Sequence, residues 1–407
     1  MGVGPAGRLG AAEAPHPGVE LEEALVADPL GLGHVLQSHR SDLHVRQTKG
    51  VRILIAPDKF AGTLTAVEAA DAIAAGWRRR APDDEIDLAP MADGGPGFVD
   101  VLHAALGGEL LAVTVRGPHG EPTPATLLLH HHTAYVEAAQ ACGLHLTGGE
   151  GAESASTYGV GELLLAAIDA GATRIVVGLG GSGTNDGGAG LLAAVGATAD
   201  RPLDAGATGL SGIRHVELPA FDLDLVAATD VDNPLTGLFG ATKVFGPQKG
   251  IAEDRLPVLD GWLEELAAAT DRRVALEKGA GAAGGLGFAL LLLGATREPG
   301  IELVAHALRL PERARAADLV VTGEGAFDYS SRGGKVPYGV AEIAGAALRP
   351  CVVLAGQVHV GSREMRALGV ESAYSLVDVV GEDRAFADPA GALSDLAERV
   401  ARTWSRE

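Results

Sequence analysis

One stretch, Arg174 to Val195, limits the folds open to this chain more than any other. It reads RIVVGLGGSGTNDGGAGLLAAV. Arg174–Val177 is a short β-branched run of the kind buried in a parallel sheet. Glycines at 178, 180, 181, 183, 187 and 188 follow, with Thr184, Asn185 and Asp186 among them. Ala189–Val195 then has the composition of a helix that packs back on the sheet. Strand, glycine loop and helix in this order make the repeating unit of an α/β protein. Glycines let a loop approach a ligand closely. The N–H groups of such a loop and of the helix start can hold an anion. Gly180, Gly181, Ser182, Gly183, Thr184 and Asn185 are therefore phosphate-binding candidates. Asp186 does not suit a pure anion cradle. It is expected either to cap the helix or to work beside a phosphate, with a metal ion or as a proton acceptor.

A chain of 407 residues is too long for one ordinary core, so two domains are expected. The net charge of −21 argues against nucleic acid or an anionic membrane as partner. No apolar run is long enough to span a bilayer, and no secretory leader is recognisable. A cytoplasmic enzyme is the expectation. Cys142 and Cys351, both in apolar surroundings, read as buried free thiols.

Met1–Gly50 carries scattered Pro, Gly and His and no strand pattern, and reads as a disordered extension. Regular structure is expected from Arg52–Ala56, a strand followed by Asp58 and Lys59. Thr65 and Glu68 make a capping box that opens a helix. A second strand, Ile86–Ala89, precedes Asp93-Gly94-Gly95, and a helix then runs to Leu106. From Glu109 to Glu137 the alternating pattern predicts antiparallel hairpins. His130–His132 fall in a turn there and do not suit a metal site, because neighbouring strand residues face opposite ways. Leu225–Thr229 is a further strand, ending at Asp230. The run GAGAAGGLG at Gly279–Gly287 is expected to serve close helix packing. Asp318–Thr322 is a strand followed by a Gly323-Glu324-Gly325 loop, with Asp328 and Lys335 beyond. A helix, Val336–Leu348, and the strand Cys351–Ala355 follow.

An acid stands just beyond several strands: Asp58, Asp93, Asp186, Asp230, and Glu324 with Asp328. Open α/β sheets bind ligands beyond the carboxyl ends of their strands. Acids combined with Lys59, Lys249 and Lys335 are what a metal–phosphate site needs. No Walker A motif is present, so a nucleotide site must be of another kind.

The chain resembles the type 1 glycerate kinases along nearly all of Val51–Trp404. The resemblance rests on IAPDKFAGTLTAVEAADAI, MADGGPG, TYGVGELL, GLGGSGTNDGGAGLLAAVGA, DVDNPLTG with VFGPQKG, GAGAAGGLG, and VVTGEGAFD with GKVPYGVA. It implies phosphorylation of D-glycerate with ATP and Mg²⁺, favouring the 2-hydroxyl. It also implies an α/β fold of two lobes. One is flavodoxin-like, with a parallel sheet built from both ends of the chain (51–105 and 295–407). The other is an inserted α/β lobe with antiparallel strands (106–294). On this basis Asp186, Asp58 and Lys59 are expected to be catalytic, and Lys249 and Lys335 to join the glycine loop on phosphate. Asp230, Glu324 and Asp328 are expected to hold metal, and Asp93, Gly94 and Gly95 to contact substrate. Two positions depart from the family pattern. Ala61 stands where a lysine is usual, with Lys59 in place of a small polar residue, and Pro96 stands where a glutamate is common. Both bear on substrate contacts.

The competing reading is an NAD(P)-dependent oxidoreductase. Gly178, Gly180 and Gly183 form G-x-G-x-x-G after a strand, and Asp200 lies near the distance of a ribose-binding acid.

Overall fold

The computed structural model describes residues 50–60, 62–328 and 335–405. The expected N-terminal extension, Gly50 apart, lies outside them, as does Ala61. Thirteen strands follow one another in the described residues. They are β1 (Arg52–Ile55), β2 (Glu85–Leu88), β3 (Glu109–Arg116), β4 (Pro122–His130), β5 (Thr133–Glu137), β6 (Arg174–Gly178) and β7 (Thr198–Ala199). Then come β8 (Val216–Glu217), β9 (Asp224–Ala228), β10 (Thr296–Glu298), β11 (Leu319–Phe327), β12 (Cys351–Val358) and β13 (Ser372–Ser375).

The first sheet has the order β2-β1-β11-β12-β13 and is parallel throughout. Counted within this sheet alone, the order is 2-1-3-4-5, that of a flavodoxin-like sheet. Its strand order reverses between β1 and β11, where ligands are expected. The second sheet has the order β10-β9-β6-β5-β4-β3. Its β5, β6, β9 and β10 are parallel, whereas β3, β4 and β5 pair antiparallel. The fold is thus α/β with two sheets, the second mixed and inserted between two parts of the first. Strand β10 pairs with β9, Thr296 opposite Val226. The chain therefore returns to the first sheet at the helix Gly300–Ala307, a few residues later than the boundary read from the sequence.

Alternation along the strands sorts the core into layers. Ile53, Ile55, Val321 and Val352 face the helices Ala66–Arg80 and Pro389–Trp404. Leu54, Val320 and Val353 face the other way, in one cluster with Phe98, Val99, Ile301 and Val304. Val176, Val226 and Ala228 of the second sheet join that same cluster. The helices Phe98–Leu106 and Gly300–Ala307 are therefore a shared layer between the sheets. The far face of the second sheet, through Ile175, Val177 and Leu225, packs on Tyr158–Asp169 and Ala282–Leu292.

Local signals explain much of this. The Thr65 capping box forms as the sequence predicts: Thr65 Oγ1 accepts the Glu68 N–H at 3.2 Å, and Glu68 Oε2 accepts the Thr65 N–H at 2.9 Å. Both cysteines are buried and free, and burial pushes each thiol up to about 12. The second glycine run serves close packing as expected, but not by regular helix contacts. Ala283, Gly284 and Gly285 have left-handed backbone, and Gly284 O accepts the Gly187 N–H at 3.0 Å. A side chain on Gly284 would collide with the Thr184 carbonyl. The two glycine runs thus lie against each other.

One expectation fails. Gly323-Glu324-Gly325 is not a loop: β11 runs on to Phe327, with Glu324 opposite Ala355 of β12. The pairing with β1 stops at Ile55 opposite Val321, so β11 and β12 continue beyond it as a two-stranded extension. Gly323 lies close to the Phe60 ring and the Leu354 carbonyl, where a side chain would not fit.

Candidate active site

The strand-order reversal of the first sheet is where charge gathers. The Asp58 N–H donates to Gly323 O at 2.8 Å, tying the end of β1 to β11. Lys59 Nζ then stands 3.5 Å from Asp58 Oδ1 and 3.7 Å from Asp93 Oδ1. Burial pushes the Asp58 carboxyl up to about 6, although Lys59 acts against the rise. For Lys59 burial acts downward, but Asp93 and Asp58 outweigh it and its pKa is raised. A carboxyl raised this close to neutrality, beside a charged amine, suits proton transfer.

The loop that carries Asp93 leans on the second sheet. Asp93 Oδ1 accepts the Gly95 N–H at 3.0 Å. Gly94 has φ of 92° and lies against the ends of β6 and β9; a Cβ there would stand 2.8 Å from Ala228 O. Gly180 lies equally close to Gly95. Asp93, Gly94 and Gly95 therefore sit where the strand ends of both sheets meet. Pro96, the second departure from the family pattern, packs on Gly181.

Two more acids line this junction. Asp230 follows β9 and its Oδ2 accepts the Ile301 N–H at 3.3 Å. Burial pushes it up to about 7, and Asp93 adds to the rise. Glu137 ends β5, is 6% exposed, and is pushed up to about 7, again mainly by burial. Glu137 was missed in the sequence. It obeys the same rule as the others, an acid at a strand end, but no glycine follows it to draw attention.

The glycine loop behaves differently from the expectation. Ser182 to Gly190 are all buried; only Gly180 and Gly181 retain exposure. Asp186 is wholly buried. Its Oδ2 accepts hydrogen bonds from Thr157 N at 2.8 Å, Thr157 Oγ1 at 2.9 Å and Gly190 N at 3.2 Å. Its Oδ1 accepts the Gly188 N–H at 3.0 Å. Burial raises its pKa against the pull of these four donors. Asp186 therefore caps the start of Ala189–Ala194 and does not reach the crevice. The N–H groups of Gly188 and Gly190 at the helix start are thus taken by the chain's own carboxylate.

Lys249 is likewise internal, at 2% exposure. Its Nζ donates to Ser182 Oγ at 2.9 Å and to Thr184 O at 2.6 Å, clamping the loop from beneath. Burial lowers its pKa to about 8. Asn185 Nδ2 donates to Thr242 Oγ1 at 3.0 Å, while Asn185 Oδ1 is buried without a partner. Thr184 Oγ1 makes no hydrogen bond of ordinary geometry, though it is near enough to the Cys142 thiol to offset part of that thiol's rise. Of the phosphate candidates in the loop, Gly180 and Gly181 alone border open space.

The same facts remove the basis for a dinucleotide site. A pyrophosphate would need the helix start that Asp186 occupies. Asp200 directly follows β7, is exposed, and accepts the N–H groups of Arg214 and His215.

Glu324, on the β11 extension, and Asp328, just beyond it, both face Lys335, at 3.8 and 3.6 Å from its Nζ. Asp230, expected to share a metal with them, is instead bound to the helix start at Ile301. Among the described residues no three His, Cys, Asp or Glu side chains gather with metal-binding spacing.

The glycerate kinase family model matches residues 53–405. The chain belongs to the glycerate kinase family. A glycerate kinase of Halalkalibacterium halodurans is 39% identical over 87% of this chain and 99% of its own length. The glycerate 2-kinase of Escherichia coli is 38% identical over 83% of this chain and 93% of its own. A solved structure from Salmonella typhimurium LT2, named as a glycerate kinase 2, superposes with a TM-score of 0.72 at 36% identity. It is covered over 98% of its length by 87% of this chain. The protein is thus an enzyme that phosphorylates glycerate, and its sheets are those of a two-lobed glycerate kinase.

Proposed function

We propose that the protein transfers the γ-phosphoryl group of ATP to the 2-hydroxyl of D-glycerate, with Mg²⁺ as cofactor. The observation that carries this reading is the Asp58–Lys59–Asp93 cluster at the strand-order reversal, between two lobes. ATP supplies the phosphoryl group, and Mg²⁺ neutralises its charge. Kinase sites hold Mg²⁺ through one or two carboxylates together with substrate phosphates. Glu324 and Asp328 beside Lys335 are a donor set of that kind, so the residues fit the cofactor without a larger cage.

Asp58 is the group we assign to receive the hydroxyl proton as the new phosphorus–oxygen bond forms. Its raised pKa supports that role, because the carboxyl gains and loses a proton near neutrality. Lys59 is assigned to the glycerate carboxylate or to the phosphoryl oxygens. Asp93, Gly94 and Gly95 are assigned to substrate, and Gly180 and Gly181 to the facing wall. A cytoplasmic location is part of the proposal: ATP is required, and two free thiols suit a reducing compartment. No helix among the described residues is long and apolar enough to cross a membrane.

The test is proton-coupled phosphorus NMR of the product made from D-glycerate, ATP and Mg²⁺. A phosphate on the 2-position is bonded to a CH group and gives a doublet. A phosphate on the terminal position is bonded to a CH₂ group and gives a triplet. A triplet would overturn the 2-position, and no ADP release would overturn the use of ATP.

A further inference from the structure

We infer that Glu137 is a positioning residue for glycerate phosphorylation, holding the Asp93–Gly97 loop of the first lobe from the second. The helix Phe98–Leu106 begins at Gly97, which has no side chain with which to cap it. The first N–H groups of a helix need acceptors from somewhere. Here the acceptor comes from the other sheet. Glu137 Oε2, at the carboxyl end of β5, accepts the Gly97 N–H at 3.0 Å and the Val99 N–H at 3.4 Å. A buried carboxylate is retained only with such partners, and it also favours the positive end of the helix.

The loop just before this helix start carries Asp93, whose carboxylate faces Lys59 at 3.7 Å. The loop also packs closely against backbone. Gly94 abuts Gly178 and Ala228 O, and Gly300 abuts the Asp93 carbonyl. Glu137 thus anchors the loop end nearest the helix through its side chain. It acts through the loop on Asp93 and Lys59. The charged groups that bear on it are Lys59 and, on the helix, Asp100.

Reach and charge separate cleanly in two variants. Glu137→Asp keeps the charge but withdraws the carboxylate by one methylene. Glu137→Gln keeps the reach and an oxygen acceptor but loses the charge. An anchor predicts that Asp is the worse substitution. Under the glycerate kinase reading above, Glu137→Asp lowers kcat at least about tenfold, since small misplacements near the chemistry are costly. Glu137→Gln stays within about threefold of the wild type. Hydrogen exchange at the Gly97 and Val99 amides supplies a readout free of activity: faster in Glu137→Asp, unchanged in Glu137→Gln.

The reverse order, with Gln losing more turnover than Asp, would overturn the inference in favour of a charge role. Faster exchange in Glu137→Asp with wild-type kcat would also overturn it, since the contact would then be structural only. A wild-type protein that fails to phosphorylate glycerate would sink the functional reading instead, and the exchange order would still report on the anchor.

Discussion

Asp186→Asn discriminates between the buried cap described above and the catalytic carboxylate suggested by the sequence. The wild-type carboxylate accepts three hydrogen bonds at Oδ2 and one at Oδ1. An amide offers one oxygen. Its best placement puts that oxygen where Oδ2 was, and then the NH₂ group faces the Gly188 N–H, donor against donor. Orphaning that buried N–H costs ~1–3 kcal/mol. The three remaining bonds pass from a charged to a neutral acceptor and lose ~1 kcal/mol each. Relief from burying a charge, visible in the raised pKa, offsets part of this. A net destabilisation of ~2–4 kcal/mol follows. At ~2 °C per kcal/mol for a chain of this size, Tm falls by ~4–8 °C. Calorimetric unfolding measures the first quantity, and steady-state turnover at 25 °C, where the variant remains folded, measures the second. Turnover should fall by much less than the ~10²-fold expected on losing a general base. An unchanged Tm with a hundredfold loss of kcat would refute the reasoning and return Asp186 to the chemistry.

Lys59→Met should cost ~1.5–3 kcal/mol of transition-state stabilisation, the scale of a charge-assisted hydrogen bond. It should also move the acid limb of the pH–rate profile upward, because Lys59 holds the Asp58 pKa down; an unchanged profile would remove Lys59 from the site. Glu137 rises from an ordinary 4.5 to about 7 in the folded state. The folded protein therefore holds a proton that the unfolded chain releases first, and the contribution to stability is full below pH 4.5 and is lost as pH rises through 7. Urea unfolding at pH 5 and pH 8 should show the wild type losing ~2.5 kcal/mol relative to Glu137→Gln across that window; a constant difference would contradict the shift. Gly284→Ala forces a side chain into left-handed backbone against the Thr184 carbonyl and should destabilise by at least ~1–3 kcal/mol. Equal urea midpoints would show that the two glycine runs do not need their contact.

Local pattern carried much of the fold. The β-branched runs, the Thr65 capping box and the glycine loop between β6 and its helix lie within single stretches of chain, so propensity and spacing report them directly. The same is true of the antiparallel strands from Glu109 to Glu137. The extent of β11 was not legible in this way. Gly323-Glu324-Gly325 has the composition of a loop, and its pairing depends on β12, a partner some thirty residues later.

The candidate site divides along the same line. By itself the sequence determined that acids and glycines follow strand ends, and that such ends are where an α/β protein binds its ligand. It could not distinguish an acid that faces the crevice from one that faces inward, because both follow a strand and both sit among glycines. Asp58 and Asp186 look alike in the chain. Asp58 lies at the strand-order reversal of its sheet with Lys59 beside it, whereas Asp186 turns under its loop to meet Thr157, Gly188 and Gly190. Lys249 is drawn inward in the same way. Only the tertiary structure decided these cases, because a carboxylate or an amine goes where its distant hydrogen-bond partners are, and those partners are set by how the layers pack.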